Sequence, residues 1–146
     1  MKIAQVKINP WEKDLWFSVN DFELNPGDYV IIETDKSVEI AKATEIKEVD
    51  KKQLNLTLQE KPIIRKATLK DLEKLESYEK NKIEAIKLCK DLINKHDLPM
   101  KLIDVHFSFD GKKISFAFIS DGRVDFRNLV KDLTRHYQKS IRLQQL

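Results

Sequence analysis

Glycine is scarce in this chain of 146 residues: only three occur, and none lies in a phosphate-cradling pattern. Neither GxxxxGK[ST] nor GxGxxG is present, which argues against P-loop hydrolysis and dinucleotide binding. A single cysteine, Cys89, excludes an internal disulfide and a CxxC metal site, and it fits a reducing compartment. A buried structural thiol is the expectation for it. The three histidines, His96, His106 and His136, show no HExxH or HxxxH spacing. His106 should share a solvent face with Asp104 and Ser108. No apolar run of about 18 residues exists, so no membrane span is expected. No apolar stretch follows a basic start, so no signal peptide is expected, and a cytoplasmic location follows. Catalysis is not expected, since no nucleophile and base fall into a recognisable arrangement.

Arginine is also missing from residues 1–62, and this absence divides the chain. Residues 1–62 hold 9 lysines against 12 acidic residues, a net −3. Residues 63–146 hold 18 basic and 12 acidic residues, a net +6. Two units with different partners are expected. The hydrophobic fraction of 41% supports a core, and 35% charged residues give a well-solvated surface.

The first part reads as β. Lys2–Ile8, Leu15–Val19, Tyr29–Thr34, Val38–Ile46 and Leu54–Leu58 alternate or run apolar at strand length. Asn25–Asp28, "NPGD", is a turn, because Pro presets φ and Gly accepts positive φ. Thr34–Ser37 would be a hairpin turn without the usual glycine. Five short strands predict a small β-barrel-like unit over 1–62. Trp11, Trp16 and Phe17 either fill its core or form an exposed aromatic patch.

The second part reads α-β-β-α-β over 63–146. "TLKD" starts a long helix from about Leu69 to Lys95, with Thr68 as N-cap and Asp71 near N3. Leu72, Leu75, Ile83, Ile86, Cys89 and Ile93 fall near one face, interrupted by Glu79 and Lys82. The helix should therefore be only half covered, and its uncovered middle is a candidate interface. Lys101–Phe109 and Lys113–Ile119 form a hairpin around Asp110–Gly111, the preferred two-residue turn. A second helix runs from about Phe126 to Gln138, and Ser140–Leu146 is a last strand. The fold class is α+β.

The stretch "DGRVDFRNLVKDL", Asp121–Leu133, carries the candidate site. Asp125 suits the N-cap, and Val124 and Leu129 have hydrophobic-staple spacing. Phe126, Leu129, Val130, Leu133 and Tyr137 form the apolar face. Arg123 and Arg127 lie outside that account. Arg127 beside the positive helix end costs about 0.3–1 kcal/mol. A salt bridge to Asp121 or Asp125, a bound anion or an acidic partner would offset it. Arg127, Lys131, Arg135 and Lys139 recur every four residues and make a slanting basic ridge. Arg123, Arg142, Lys112 and Lys113 would extend it. Such a ridge suits phosphate contact, an acidic protein partner, or plain solvation.

Over Arg65–Leu146 the sequence resembles the C-terminal region of the PSP-one family of YaaT-like (RicT-like) bacterial regulators, named after a yeast polymerase suppressor. "RKAT" (Arg65–Thr68), "LPMKLIDVHFSFDG", "DGRVDFRNLVKDL" and the terminal "IRLQQL" carry it, with "NPGDYVIIET" as a weaker likeness in the first part. The resemblance implies an adaptor that acts with small partner proteins in a complex influencing messenger RNA maturation by a ribonuclease, and through it sporulation, competence and biofilm decisions. Some relatives carry clustered cysteines beyond the "IRLQQL" position and bind iron–sulfur clusters there. This sequence ends at Leu146, before that segment. It is therefore either a piece of a longer chain or a short member without the cluster role. One thiol cannot supply the usual four ligands, so no cofactor and no metal are expected here. Asn128 stands where the family usually has Glu, which weakens the capping box, and "DKSVEIAKA" lacks glycines that the family often places there.

The expected function is a non-enzymatic adaptor acting through protein partners, with a direct RNA- or DNA-binding module as the rival. The residues expected to bind are Arg123, Arg127, Lys131 and Arg135, framed by Asp125 and Phe126.

Overall fold

Alternating apolar side chains set the first sheet. The computed structural model describes residues 1–146. Strands β1 (Lys2–Lys7), β2 (Leu15–Ser18), β3 (Tyr29–Glu33), β4 (Val38–Glu48) and β5 (Arg65–Lys66) pair in the order β2-β1-β4-β3-β5, all antiparallel. Ala4, Val6, Phe17, Val30, Ile32, Ala41, Ala43 and Ile63 form the core of this unit. In the Asn25–Asp28 turn, Gly27 takes φ 96° and the Asp28 carboxylate accepts the Asn25 N–H at 2.9 Å. The Thr34–Ser37 hairpin manages without glycine because the Thr34 hydroxyl accepts the N–H groups of Lys36 and Ser37, both at 3.2 Å.

Two expectations fail here. Leu54–Leu58 is not a strand: it follows a single 3-10 turn at Lys51–Gln53 and makes one bridge, Leu58 to Trp16. No closed barrel forms either, since β2 and β5 end the sheet without pairing to each other. Instead an irregular segment serves both edges. Gln59 and Ile63 donate to the carbonyls of Trp16 and Ser18 at 2.8 and 3.0 Å. Ile64 and Ala67 donate to Ile31 and Tyr29 at 2.9 and 2.8 Å. Pro62, which has no N–H to give a ladder, sits where this segment passes from one edge to the other.

Helix α1 (Leu69–Lys95) starts at a reciprocal capping box. Asp71 N–H donates to the Thr68 hydroxyl at 3.2 Å, and Thr68 N–H donates to the Asp71 carboxylate at 2.7 Å. The half-covered reading is correct in outcome, but the buried side is drawn differently. Ala85, Cys89 and Ile93 are buried, Ile86 and Leu92 pack beside them, and Leu72 and Ile83 are exposed. The chain divides by contacts into two units, Met1–Glu73 and Lys74–Leu146, so α1 runs through the division.

In the second unit β6 (Lys101–Phe107) and β7 (Lys113–Ile119) form the hairpin, and β8 (Ser140–Gln145) joins β7 in parallel, giving the order β6-β7-β8. The connection is five residues long rather than two. The Ser108 hydroxyl bonds the Asp110 carboxylate at 2.6 Å and accepts Lys113 N–H at 3.0 Å, which holds the wider loop, while Gly111 takes φ 73°. Helix α2 (Arg127–Tyr137) crosses between β7 and β8. Leu129 and Leu133 of α2 meet Ala85, Cys89 and Ile93 of α1 over Leu102, Val105, Ile114 and Phe116 of the sheet. No helix is long and apolar enough to cross a membrane.

Candidate interaction surface on the second helix

The loop before α2 is pinned from both sides. The Ser120 hydroxyl donates to Gly122 O at 2.6 Å, and the Gln145 amide reaches Ser120 O and Gly122 O, each at 3.4 Å. Phe126 is half-buried, with its ring edge-on to Phe118 at 6.0 Å between centroids. It occupies the N-cap position of α2, with φ −101° and ψ 19°. The expected N-cap, Asp125, lies one residue earlier. Its carboxylate still accepts Arg127 N–H at 3.3 Å, but its main contact is the Arg127 side chain, Nε at 2.9 Å and Nη2 at 2.7 Å.

That fork answers how Arg127 tolerates the positive helix end. The Arg127 guanidinium, followed by the Arg127 backbone N–H, lowers the Asp125 carboxyl to about 2. The pair is solvated, with side chains 87% and 62% exposed, so it neutralises Arg127 locally and adds little to stability. Asp121 is not the partner.

Arg123, Lys131 and Arg135 are exposed and carry no ion pair. Lys139 lies past the left-handed Gln138 that ends α2, so the ridge offers three uncommitted cations and one committed pair. Asp132 lies on the same helix. Its carboxylate contacts His96 Nε2 at 2.7 Å and Lys95 Nζ at 3.6 Å, tying α2 to the end of α1. The His96 hydrogen bond is the main reason its carboxyl lies below the ordinary range. Sequence spacing gave no sign of this tie, because 36 residues separate His96 and Asp132.

Arg142 and Lys113 are not brought onto the ridge. Ile141 and Leu143 of β8 pack on the helix-covered face of the sheet, so Arg142 between them faces the other way. Lys113 pairs in register with Ser140 and shares that opposite face. Cys89 is fully buried, and burial pushes its thiol to about 12, which leaves no thiolate for ligation or attack. No group of three or more His, Cys, Asp or Glu side chains is placed to hold a metal ion.

Against known proteins, the chain is 38% identical to the stage 0 sporulation protein YaaT of Bacillus subtilis over 145 residues, 99% of this chain and 52% of that protein. It is 32% identical over 85 residues to the protein PB7E8.02 of Schizosaccharomyces pombe, covering 58% of this chain and 11% of that protein. It is 38% identical over 48 residues to the protein PSP1 of Saccharomyces cerevisiae, covering 33% of this chain and 6% of that protein. The chain therefore spans about half the length of the Bacillus relative and far less of the two yeast proteins. No solved structure is significantly similar to it. The PSP1 C-terminal conserved region matches residues 61–146, which contain both helices, the second sheet and the whole basic ridge, and the chain belongs to that family.

Proposed function

We propose that this protein is a non-enzymatic regulatory adaptor that acts through protein partners in RNA processing and cell-fate control. The observation that carries the reading is the 38% identity to a sporulation protein across 99% of the chain. The geometry fits it. Lys131 and Arg135 stand exposed on α2 and Arg123 on the loop before it, not in a cleft of converging polar groups such as catalysis uses. Arg123, Lys131 and Arg135 would meet acidic groups of a partner, with the Asp125–Arg127 fork and Phe126 holding the start of the helix in place. On this reading Lys74–Leu146 form the partner-facing unit, Met1–Glu73 a β unit whose sheet takes in Arg65 and Lys66, beyond the expected boundary at residue 62, and the protein works in the cytoplasm.

A second reading, direct RNA or DNA binding by the ridge, is favoured by the same three unpaired cations. The two readings differ in salt dependence. Three neutralised phosphates on single-stranded RNA predict an affinity loss of about 20-fold between about 50 and about 200 mM salt. The test is fluorescence anisotropy of a short single-stranded RNA and a duplex DNA, with Lys131→Glu/Arg135→Glu as the altered protein. The adaptor reading expects no binding at the higher salt and no difference between the two proteins. It also expects a photo-crosslinker at position 131 to capture a discrete acidic protein that a crosslinker at position 90 does not. Salt-steep binding abolished by the double substitution would replace it with the second reading.

A further inference from the structure

We propose that the cleft between α1 and the end of α2 binds one nucleotide unit, stacking its base among aromatic rings and holding its phosphate at Lys139. This goes beyond the adaptor reading and rests on a different part of the surface. The cleft has a volume of about 400 Å³, within the range of small-ligand sites. Tyr78, Leu88 and Phe107 line one part of it, and His136, Tyr137 and Lys139 another.

The rings form a platform that is already set. Tyr78 stacks on Phe107 with centroids 5.7 Å apart and planes 10° from parallel. Its hydroxyl donates to Phe109 O at 3.3 Å, which fixes the ring's far end. Tyr137 is held against Phe116 at 6.5 Å and against the His136 ring at 4.8 Å. Fixed rings stack a base without first losing their own freedom, and stacking tolerates any base because every base has a π face.

One lysine lines this cleft and a second stands beside its aromatic wall. Lys139 lines the cleft just past the left-handed Gln138 that ends α2, off the helical ridge of Arg127, Lys131 and Arg135. Lys74 Nζ lies 4.4 Å from the Phe109 ring centroid and 5.8 Å from that of Tyr78. The Lys112 carbonyl accepts Ser140 N–H at 3.1 Å, which sets the hairpin loop next to Lys139 in the chain fold. Asn81 and Glu84 from α1 supply the polar edge. An amide offers both a donor and an acceptor, and a carboxylate accepts from the amino groups of a base. Aromatic stacking beside lysines, with an amide and a carboxylate on one wall, suits a base with its 5′-phosphate better than it suits a phosphate alone.

The chemistry has two sources, a free mononucleotide or a residue of a single RNA strand. The experiment follows backbone amide shifts by NMR while AMP, ribose 5-phosphate and a single-stranded hexamer of adenosine nucleotides are added separately, up to about 10 mM nucleotide. AMP and the hexamer are expected to shift amides around Tyr78, Asn81, His136 and Lys139, and ribose 5-phosphate is not. Lys139→Glu, which reverses the anchor, and Asn81→Trp, which fills the cleft, should each weaken binding about fivefold or more. Lys90→Glu, an equal charge change elsewhere on α1, should leave it unchanged. A hexamer more than about tenfold tighter than AMP identifies an RNA strand, and equal or tighter AMP identifies a free nucleotide. No localised shift with either, ribose 5-phosphate matching AMP, or full binding by Asn81→Trp would overturn the proposal.

Discussion

Asp71 shows how much one carboxylate can organise. It accepts Thr68 N–H, takes part in the capping box of α1, and forks with the Arg65 guanidinium. Its side chain is only 11% exposed. Arg65, ahead of the Thr68 bonds, holds the carboxyl well below the ordinary carboxylate range. A depressed folded value stabilises the native state above the unfolded value of about 3.9 and is lost as pH falls through the folded one. Asp71→Ala is expected to lower stability by about 1–3 kcal/mol at neutral pH, read from urea midpoints. The difference from wild type should shrink on acidification below about pH 4 and stay constant from pH 5 to 8. A difference as large at pH 2 as at pH 7 would assign the loss to packing instead. Cys89 gives the opposite case. Its buried thiol should resist a thiol reagent at pH 8 in the native protein and react fully in denaturant. Rapid native labelling would show that α1 opens locally. The Asp71 cap was legible in "TLKD", because capping is a local chemistry within four residues. The Arg65 half of the site was not, since it depends on β5 pairing with β3.

Helix ends and hairpin tips separate what local pattern can and cannot reveal. The bounds of α1 follow from its cap and from the "HDLP" stop, and the β6–β7 pairing follows from clean alternation. Two of the details that failed share one cause: polar side chains competed for partners. Ser108 and Asp110 widened the hairpin loop. Arg127 drew the Asp125 carboxylate towards its own side chain, and α2 begins one residue later than Asp125 as N-cap would require. Leu54–Leu58 had strand alternation, but alternation describes side-chain faces and not whether an edge is available. The cleft was invisible in the sequence, because Tyr78, Phe107 and Tyr137 each lie about 30 residues from the next and no period links them. The end of α2 yields a further prediction. Gln138 closes it in the left-handed region, φ 53°, with its N–H on Thr134 O at 2.7 Å. A side chain pays steric strain there that glycine does not. Gln138→Gly should stabilise the protein by about 1 kcal/mol, seen as a raised thermal midpoint. An unchanged or lowered midpoint would mean that the Gln138 side chain contributes more than its backbone costs.

The chain holds two hydrophobic cores that share no residue, joined through α1. Each must stabilise its own unit, and both are small, so each stands close to the limit that a core of its size can support. Two spectroscopic probes happen to report them separately. Both tryptophans, Trp11 and Trp16, belong to the first unit. The helical signal comes mostly from the second, since α1 has 27 residues, all but its first five beyond Glu73, and the 11 of α2 follow. Ile32 is fully buried in the first core and Ile114 in the second. Deleting one methylene from either should cost about 1 kcal/mol. For units of this size that moves a urea midpoint by about 1 M. Ile32→Val is therefore expected to shift the tryptophan transition and leave the 222 nm transition in place, and Ile114→Val to do the reverse. If either substitution shifts both transitions together, α1 transmits stability between the cores. If a partner does bind the second helix, the protein would then respond as one body, and binding at the ridge should raise the tryptophan midpoint as well.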